Sequence, residues 1–402
     1  MAAIMSSTIM NVAIPDMSRH FDLGQESAQW VSSGFMLAML VAMLCTPWLL
    51  ARFGYRNTYL YSMLALMLGG LMGGMAGHYG LVLAARVLEG LAAGAVQPIP
   101  MIIIMRIFAP GQQGRASGLF GMGIVLAPAL GPSIGGLMVD ALGWRSIFFL
   151  IVPLCLIAIA MALRFVPARL PQAAEPASDQ ATGPRGGRAI FQSRVFCMAA
   201  LVAFIYGAVL FGSTYLIPVY MQMSLGLPAS TAGAVFLPAG LVLALTIAGA
   251  GRLADQVPMR PLVMTGLALL ALSLALTPWS GQSSTLWALV LVAIMGRIGL
   301  GCIIASLSLG ALRTLPEELV PQGASAMGFI RMLGGAVGVS LSAVVLEWRV
   351  AAHGADLAQA LIAGAEQAAR QSAFAETFFF LTALCLLAQG AAWRLQVRAA
   401  QA

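Results

Sequence analysis

The sequence contains no lysine. Apart from three histidines its basic residues are all arginine, 21 of them, and only 9% of its 402 residues are charged, against about 25% in a soluble domain. A Walker A loop needs its lysine to reach nucleotide phosphates, so a self-contained ATP-driven engine is excluded. His20, His78 and His353 stand singly between apolar runs, and Cys45, Cys155, Cys197, Cys302 and Cys385 form no CxxC pair. Neither set builds a zinc site, and no metal or other cofactor is expected. No basic patch with interleaved aromatics occurs, which excludes nucleic acid as a partner. Gly131-Pro132-Ser133-Ile134-Gly135 matches the GxSxG nucleophile elbow letter for letter. That elbow requires a strand–turn–helix setting and a histidine partner, whereas this one lies in an apolar run, so no enzyme is expected.

Apolar sequence is what the chain has in abundance. Sixty per cent of it is hydrophobic, and runs near the roughly 20 residues that span hydrocarbon recur throughout. They fall at about 30–51, 59–77, 80–105, 116–139, 146–166, 195–220, 231–250, 261–279, 286–311, 323–346 and 374–394. A further one opens the chain, with some 15 apolar residues before Asp16. That run rises about 22 Å as a helix, short of the roughly 30 Å core, and reads as a first helix clipped at its start. No basic n-region precedes it, so it is not a signal peptide. Twelve spans are expected in an all-α integral membrane protein.

Orientation follows from the arginines. With the N-terminus inside, inner loops hold fourteen of them and outer loops only Arg19, Arg145, Arg349 and Arg370. Cytoplasmic loops carry the positive excess, so both termini are expected in the cytoplasm and the net charge of +7 reports topology. Residues 167–194 are rich in Pro, Gly, Gln and Arg, which reads as a cytoplasmic linker. It divides a six-helix bundle at 1–166 from a second at 195–402. The halves carry faint repeats: Arg52, Gly54 and Arg56 answer to Gly251, Asp255 and Arg260, and Arg86 with Gly90 answers to Arg297 with Gly301.

The segment 123–140, GIVLAPALGPSIGGLMVD, is long enough to span yet holds Gly123, Pro128, Gly131, Pro132, Gly135 and Gly136. Interior Gly and Pro weaken a helix but are tolerated in membranes, where small residues let helices approach closely. A tight packing seam is one reading. The spacing GPxxGG followed by Gly143-Trp144-Arg145 resembles the fifth-helix antiporter motif of drug:proton antiporters in the major facilitator superfamily. STIMNVAIPDM at 7–17, RFGYR at 52–56, RVLEGLAAG at 86–94, YLIPVYMQMSLG at 215–226, FLPAG at 236–240 and RMLGGAVG at 331–338 resemble the branch of fourteen-helix multidrug efflux proteins. That resemblance implies two six-helix bundles related by pseudo-two-fold symmetry, here in a twelve-helix form, since 167–194 is too short for two extra helices. The sequence departs from the family at Pro47 and Ala51, where the first loop motif has Gly and Asp. It departs again at Ser6, where the first helix usually carries a membrane-embedded Asp that is a candidate for proton coupling.

Charges inside spans are functional hypotheses by default. Arg86 and Glu89, three residues apart, share one face of a helix. Two readings stand: a permanent ion pair that pins the helix, or a carboxyl that exchanges a proton as the protein moves, with Glu89 and Arg86 as the coupling pair. Arg297 reads as structural, and Arg331 as either structural or a substrate contact. Phe35, Tyr206, Tyr215 and Gln222, with Arg331, are candidates to line a substrate cavity. The short loops at 52–58 and 251–260 are the candidate gates, through Arg52, Gly54 and Arg56 and through Gly251, Asp255 and Arg260. The function expected is export of lipophilic small molecules across the inner membrane against proton entry, by a monomer. An uptake permease on the same fold and a non-transporting membrane sensor or scaffold are the alternatives.

Overall fold

The computed structural model describes residues 2–22, 25–165, 189–227, 229–280, 286–353 and 367–395. Among them the chain is helical, with no strand. Lipid offers backbone N–H and C=O groups no partner, and a helix satisfies them within one segment. The helices are α1 (Ala2–His20), α2 (Gln25–Gly74), α3 (Tyr79–Val96), α4 (Ile99–Ile107), α5 (Gln113–Leu142) and α6 (Arg145–Phe165). They continue with α7 (Arg194–Met223), α8 (Ala229–Leu253), α9 (Met259–Ser280), α10 (Leu286–Leu312), α11 (Val320–Ala352) and α12 (Gln367–Trp393). Eight helical stretches among the described residues are long and apolar enough to cross a membrane. Their outward faces carry residues such as Leu291, Val344 and Leu387 at 63%, 61% and 68% exposure, which a protein surrounded by water would not present on this scale.

Three details go beyond what the hydropathy pattern predicts, each for a local reason. The loop expected at 52–58 contracts to Gly54, whose φ of 73° and ψ of 171° break α2 into two arms. Thr58 Oγ1 donates to the Leu49 carbonyl across this turn at 3.1 Å. The single span expected at 80–105 stands as one stretch, Tyr79–Ile107, but its helix is interrupted between α3 and α4, because Pro98 has no N–H to continue the ladder. Gln97 N closes α3 on the Ala93 carbonyl, and Ile102 N opens α4 on that of Pro98. Finally, α1 continues past Asp16 to His20, 19 residues in all or about 28 Å, so its helical length is close to a full span.

The chain clusters into two compact units, one of residues 1–107, 123–191 and 315–329 and the other of 108–122, 192–314 and 330–402. In the first, Ile9, Met10, Ala13 and Met17 of α1 are buried with Val31, Val82, Ile147 and Phe148. Gly90 and Gly94 set α3 directly on α2: a Cβ at either would overlap the carbonyls of Phe35 and Met39. In the second, Gly207, Gly334 and Gly338 bring α7 and α11 together in the same way, and Gly266 faces Gly299 between α9 and α10. Close backbone contact supplies dispersion energy where lipid removes the hydrophobic drive between helices.

Candidate functional site

The site is built on α3. His78 caps its start, accepting from Leu81 N at 3.2 Å, and the helix then buries Val82, Ala85, Arg86, Glu89, Gly90, Ala93 and Gly94. Arg86 and Glu89 are both wholly inaccessible, and Arg86 Nη1 donates to Glu89 Oε2 at 2.5 Å. Each charge alone would cost about 2.5–3.5 kcal/mol at a span's centre; facing each other across one turn they offset much of it.

Two other helices enter this pair. Ser6 of α1 donates its hydroxyl to Glu89 Oε2 at 3.1 Å and accepts from Arg86 Nη1 at 2.9 Å. Its carbonyl also accepts from Nη1 at 3.3 Å. From α2, the Val31 carbonyl accepts from Arg86 Nε at 3.2 Å, and the Phe35 ring lies 4.3 Å beneath the guanidinium. One arginine therefore joins three helices. Room for the carboxyl comes from Gly69 and Gly70: a Cβ on Gly70 would stand 3.8 Å from Glu89 Oε1, and one on Gly69 would strike Glu89 Cγ. Glu89 Oε1 and Arg86 Nη2 have no hydrogen-bond partner among the described residues.

A second polar cluster lies at the start of α5. Asp255, just past α8, accepts from Gly114 N at 2.7 Å and Arg115 N at 3.0 Å. A carboxylate there satisfies N–H groups that a helix leaves open at its start and meets the positive end of its dipole. Gly251 and Gly114 allow the approach, since a Cβ on either would overlap the other's carbonyl. The cation on Asp255 is Arg313 at 2.8 Å; Arg260, the arginine of the same candidate gate loop, has its guanidinium 4.2 Å over the Trp393 ring instead. Arg313 also donates to Gln113 Oε1 at 3.0 Å and to the carbonyls of Ala254 and Pro110. Nothing in the sequence set Arg313 apart from the other loop arginines. The first loop works differently: Arg52 is exposed, and Arg56 donates to the Leu163 carbonyl at 3.3 Å.

The remaining candidates separate. Phe35 is buried under Arg86 and lines no open surface. Tyr206, Tyr215 and Gln222 lie nine and sixteen residues apart on α7, about 14 and 24 Å along its axis, so they are not one cluster. Tyr206 is buried, close enough to half-buried Arg331 for that charge to act on its phenol. Tyr215 is exposed, and Gln222 turns back to the Pro218 carbonyl. Arg297 is half-buried in α10. The backbone of α5 is helical through Gly123, Pro128, Gly131, Pro132, Gly135 and Gly136. Gly135 packs on Ile9 of α1, while the side-chain surroundings of Pro128, Gly131, Pro132 and Gly136 lie outside the described residues. The histidines are not solitary. His78 caps α3, His20 Nε2 lies 3.3 Å from Arg145 Nη2, and His353 lies 3.2 Å from Glu376, which also pairs with Arg349. No group of three or more His, Cys, Asp or Glu among the described residues is placed to hold a metal.

Long apolar helices packed through glycines, with a buried ion pair joining three of them, define a multi-pass membrane protein of transporter type. The chain belongs to the Major Facilitator Superfamily, whose family model matches residues 1–339. It is 26% identical to a Mycobacterium tuberculosis protein described as a multidrug resistance protein B homolog, over 85% of this chain and 73% of that protein. It is 24% identical to the lincomycin resistance protein LmrB of Listeria innocua, over 85% of this chain and 83% of that one. Among solved structures, the proton:xylose symporter XylE superposes with a TM-score of 0.72 at 12% identity, covering 98% of this chain and 94% of that one. That last likeness establishes the fold alone: all-α, membrane-spanning and of major facilitator type.

Proposed function

We propose that the protein exports lipophilic small molecules across the inner membrane in exchange for protons, with Glu89 as the proton carrier. The observation that carries this reading is the wholly buried Arg86–Glu89 pair, held by three helices and with one carboxylate oxygen unpartnered among the described residues. A charge is retained at such cost in a membrane chiefly where it serves a pathway or relay. The resistance functions named for the two relatives above favour efflux over uptake. One proton descending 100 mV supplies about 2.3 kcal/mol, enough for roughly a 50-fold substrate gradient at about 1.4 kcal/mol per tenfold.

Among the described residues Glu89 is the one buried carboxylate, and a dication would need at least two accessible carboxylates because buried charges need partners, so the favoured substrates are neutral or weakly anionic amphiphiles. The Asp255–Arg313 cluster serves as the cytoplasmic gate, its bonds to the start of α5 made and broken in transport. The arginine asymmetry supports a cytoplasmic location for both termini and the linker, and reporter fusions at residue 180 and at the C-terminus are expected to read cytoplasmic.

The test is uphill transport in proteoliposomes with an imposed pH gradient. Wild-type protein accumulates substrate against its gradient; Glu89→Gln, which keeps the shape and removes the charge, equilibrates substrate without accumulating it. Undiminished accumulation in that variant would place coupling elsewhere, and substrate movement in the same direction as the protons would establish uptake.

A further inference from the structure

We propose that Ser6 is the positioning residue through which protonation of Glu89 loosens α1: its hydroxyl donates across to Glu89 of α3 only while the carboxylate is charged. The inference rests on Glu89 as proton carrier.

The geometry begins with access. Glu89, Arg86 and Ser6 are all 0% exposed, so a proton reaches the carboxylate only after one of the surrounding helices moves. The charged and titratable groups around Glu89 are few. Arg86 is on its own helix, Cys155 is the group on α6 that its charge reaches, and α2 presents Gly69 and Gly70. From α1 the contact is Ser6, with no charge of its own. Of the bonds Ser6 makes, the donation of its hydroxyl to Glu89 Oε2 depends on the charge of the carboxylate, while its hydroxyl oxygen and carbonyl accept from Arg86 Nη1.

The hydroxyl has one proton to donate. A carboxylate oxygen is a stronger acceptor than a neutral one, because charge-assisted hydrogen bonds are about twice as strong as neutral ones. A proton taken at the unpartnered Oε1 leaves Oε2 as a neutral carbonyl oxygen and removes its attraction for Arg86. The Ser6 hydroxyl then has a competing acceptor one turn back in its own helix, the Ala2 carbonyl, to which helical serines readily bond. Turning there cuts the hydroxyl's bond to Glu89 and leaves α1 tied to α3 through acceptance from Arg86 alone. A serine suits this because it carries both arms of the choice on one oxygen.

The experiment measures amide hydrogen exchange in α1 of the full-length protein in lipid nanodiscs across pH, corrected for intrinsic exchange, with α7 as the internal reference. In wild type, protection of α1 relative to α7 falls severalfold as pH is lowered. Glu89→Gln, a permanent mimic of the protonated carboxyl, shows low protection at every pH, and so does Ser6→Ala, while Ser6→Thr restores the pH-dependent profile. Wild-type protection flat with pH, or Ser6→Ala keeping the wild-type pH profile, overturns the inference. Failure of the underlying reading is recognised separately by uphill accumulation in Glu89→Gln. If that accumulation is lost while α1 protection in Ser6→Ala still follows pH as in wild type, Glu89 carries the proton and Ser6 does not report it.

Discussion

A Cβ placed on Gly69 would stand 2.6 Å from Glu89 Cγ and 3.1 Å from the Ala85 carbonyl, so α2 meets the buried glutamate with a residue that has no side chain. Gly69→Ala forces α2 and α3 apart, and overpacking of this kind costs about 1–3 kcal/mol. Thermal unfolding in detergent is expected to show a lowered Tm for Gly69→Ala. Gly77→Ala, where a Cβ meets nothing within 4 Å, is expected to unfold like wild type. Equal Tm values for the two would show that the α2–α3 contact yields freely.

The Arg86–Glu89 pair separates stability from function. Arg86→Ala strands a buried carboxylate, and breaking such a pair costs about 3–5 kcal/mol, whereas replacing both members by apolar residues of similar volume is neutral or stabilising. Arg86→Ala is expected to lower Tm and membrane-inserted yield. The double variant Arg86→Met with Glu89→Leu should recover both and still lack proton-driven accumulation. Recovery of transport in it would remove the pair from the mechanism.

At the start of α5, Asp255→Ala leaves the N–H groups of Gly114 and Arg115 without their acceptor, at about 1–3 kcal/mol for a buried donor. Amide exchange at these two residues should rise several-fold. Arg313→Gln is expected to raise it less, since Asp255 keeps both main-chain bonds. Unchanged exchange in Asp255→Ala would mean that the carboxylate does not hold the helix start in the membrane.

The Arg349–Glu376 pair makes the opposite case. Its side chains are 30% and 35% exposed, and ion pairs this wet contribute little and are screened by salt. Glu376→Gln is expected to leave both Tm and transport at wild-type values in physiological salt. A loss comparable to that of Arg86→Ala would show this end of α12 to be far drier than its exposure indicates.

Hydropathy alone gave the helices, because lipid forces each span to be both apolar and helical. What it missed, at Gly54 and Pro98, was decided by single backbone constraints that averaging over a window hides. The pairing of Arg86 with Glu89 was legible because three residues on a helix fix two side chains on one face. Ser6 was visible only as a departure from a resemblance, 83 residues from the glutamate it touches. Gly69 and Gly70 read like any other small-residue seam, since a glycine that makes room for a carboxyl has the same spelling as one that makes room for a helix. Arg313 was counted with the topological arginines because its partners, Asp255, Gln113 and Pro110, come together only in three dimensions.

The turn inside α2 has a consequence of another kind. Gly54 sits at φ 73° and ψ 171°, a region that is essentially glycine-only, yet a Cβ there would touch nothing within 4 Å. The position has room for a Cβ and is selective for handedness. Alanine is refused as firmly as valine, because the objection is torsional and begins at the first carbon. To a D-residue the same torsions, mirrored, are ordinary extended backbone, and the objection disappears.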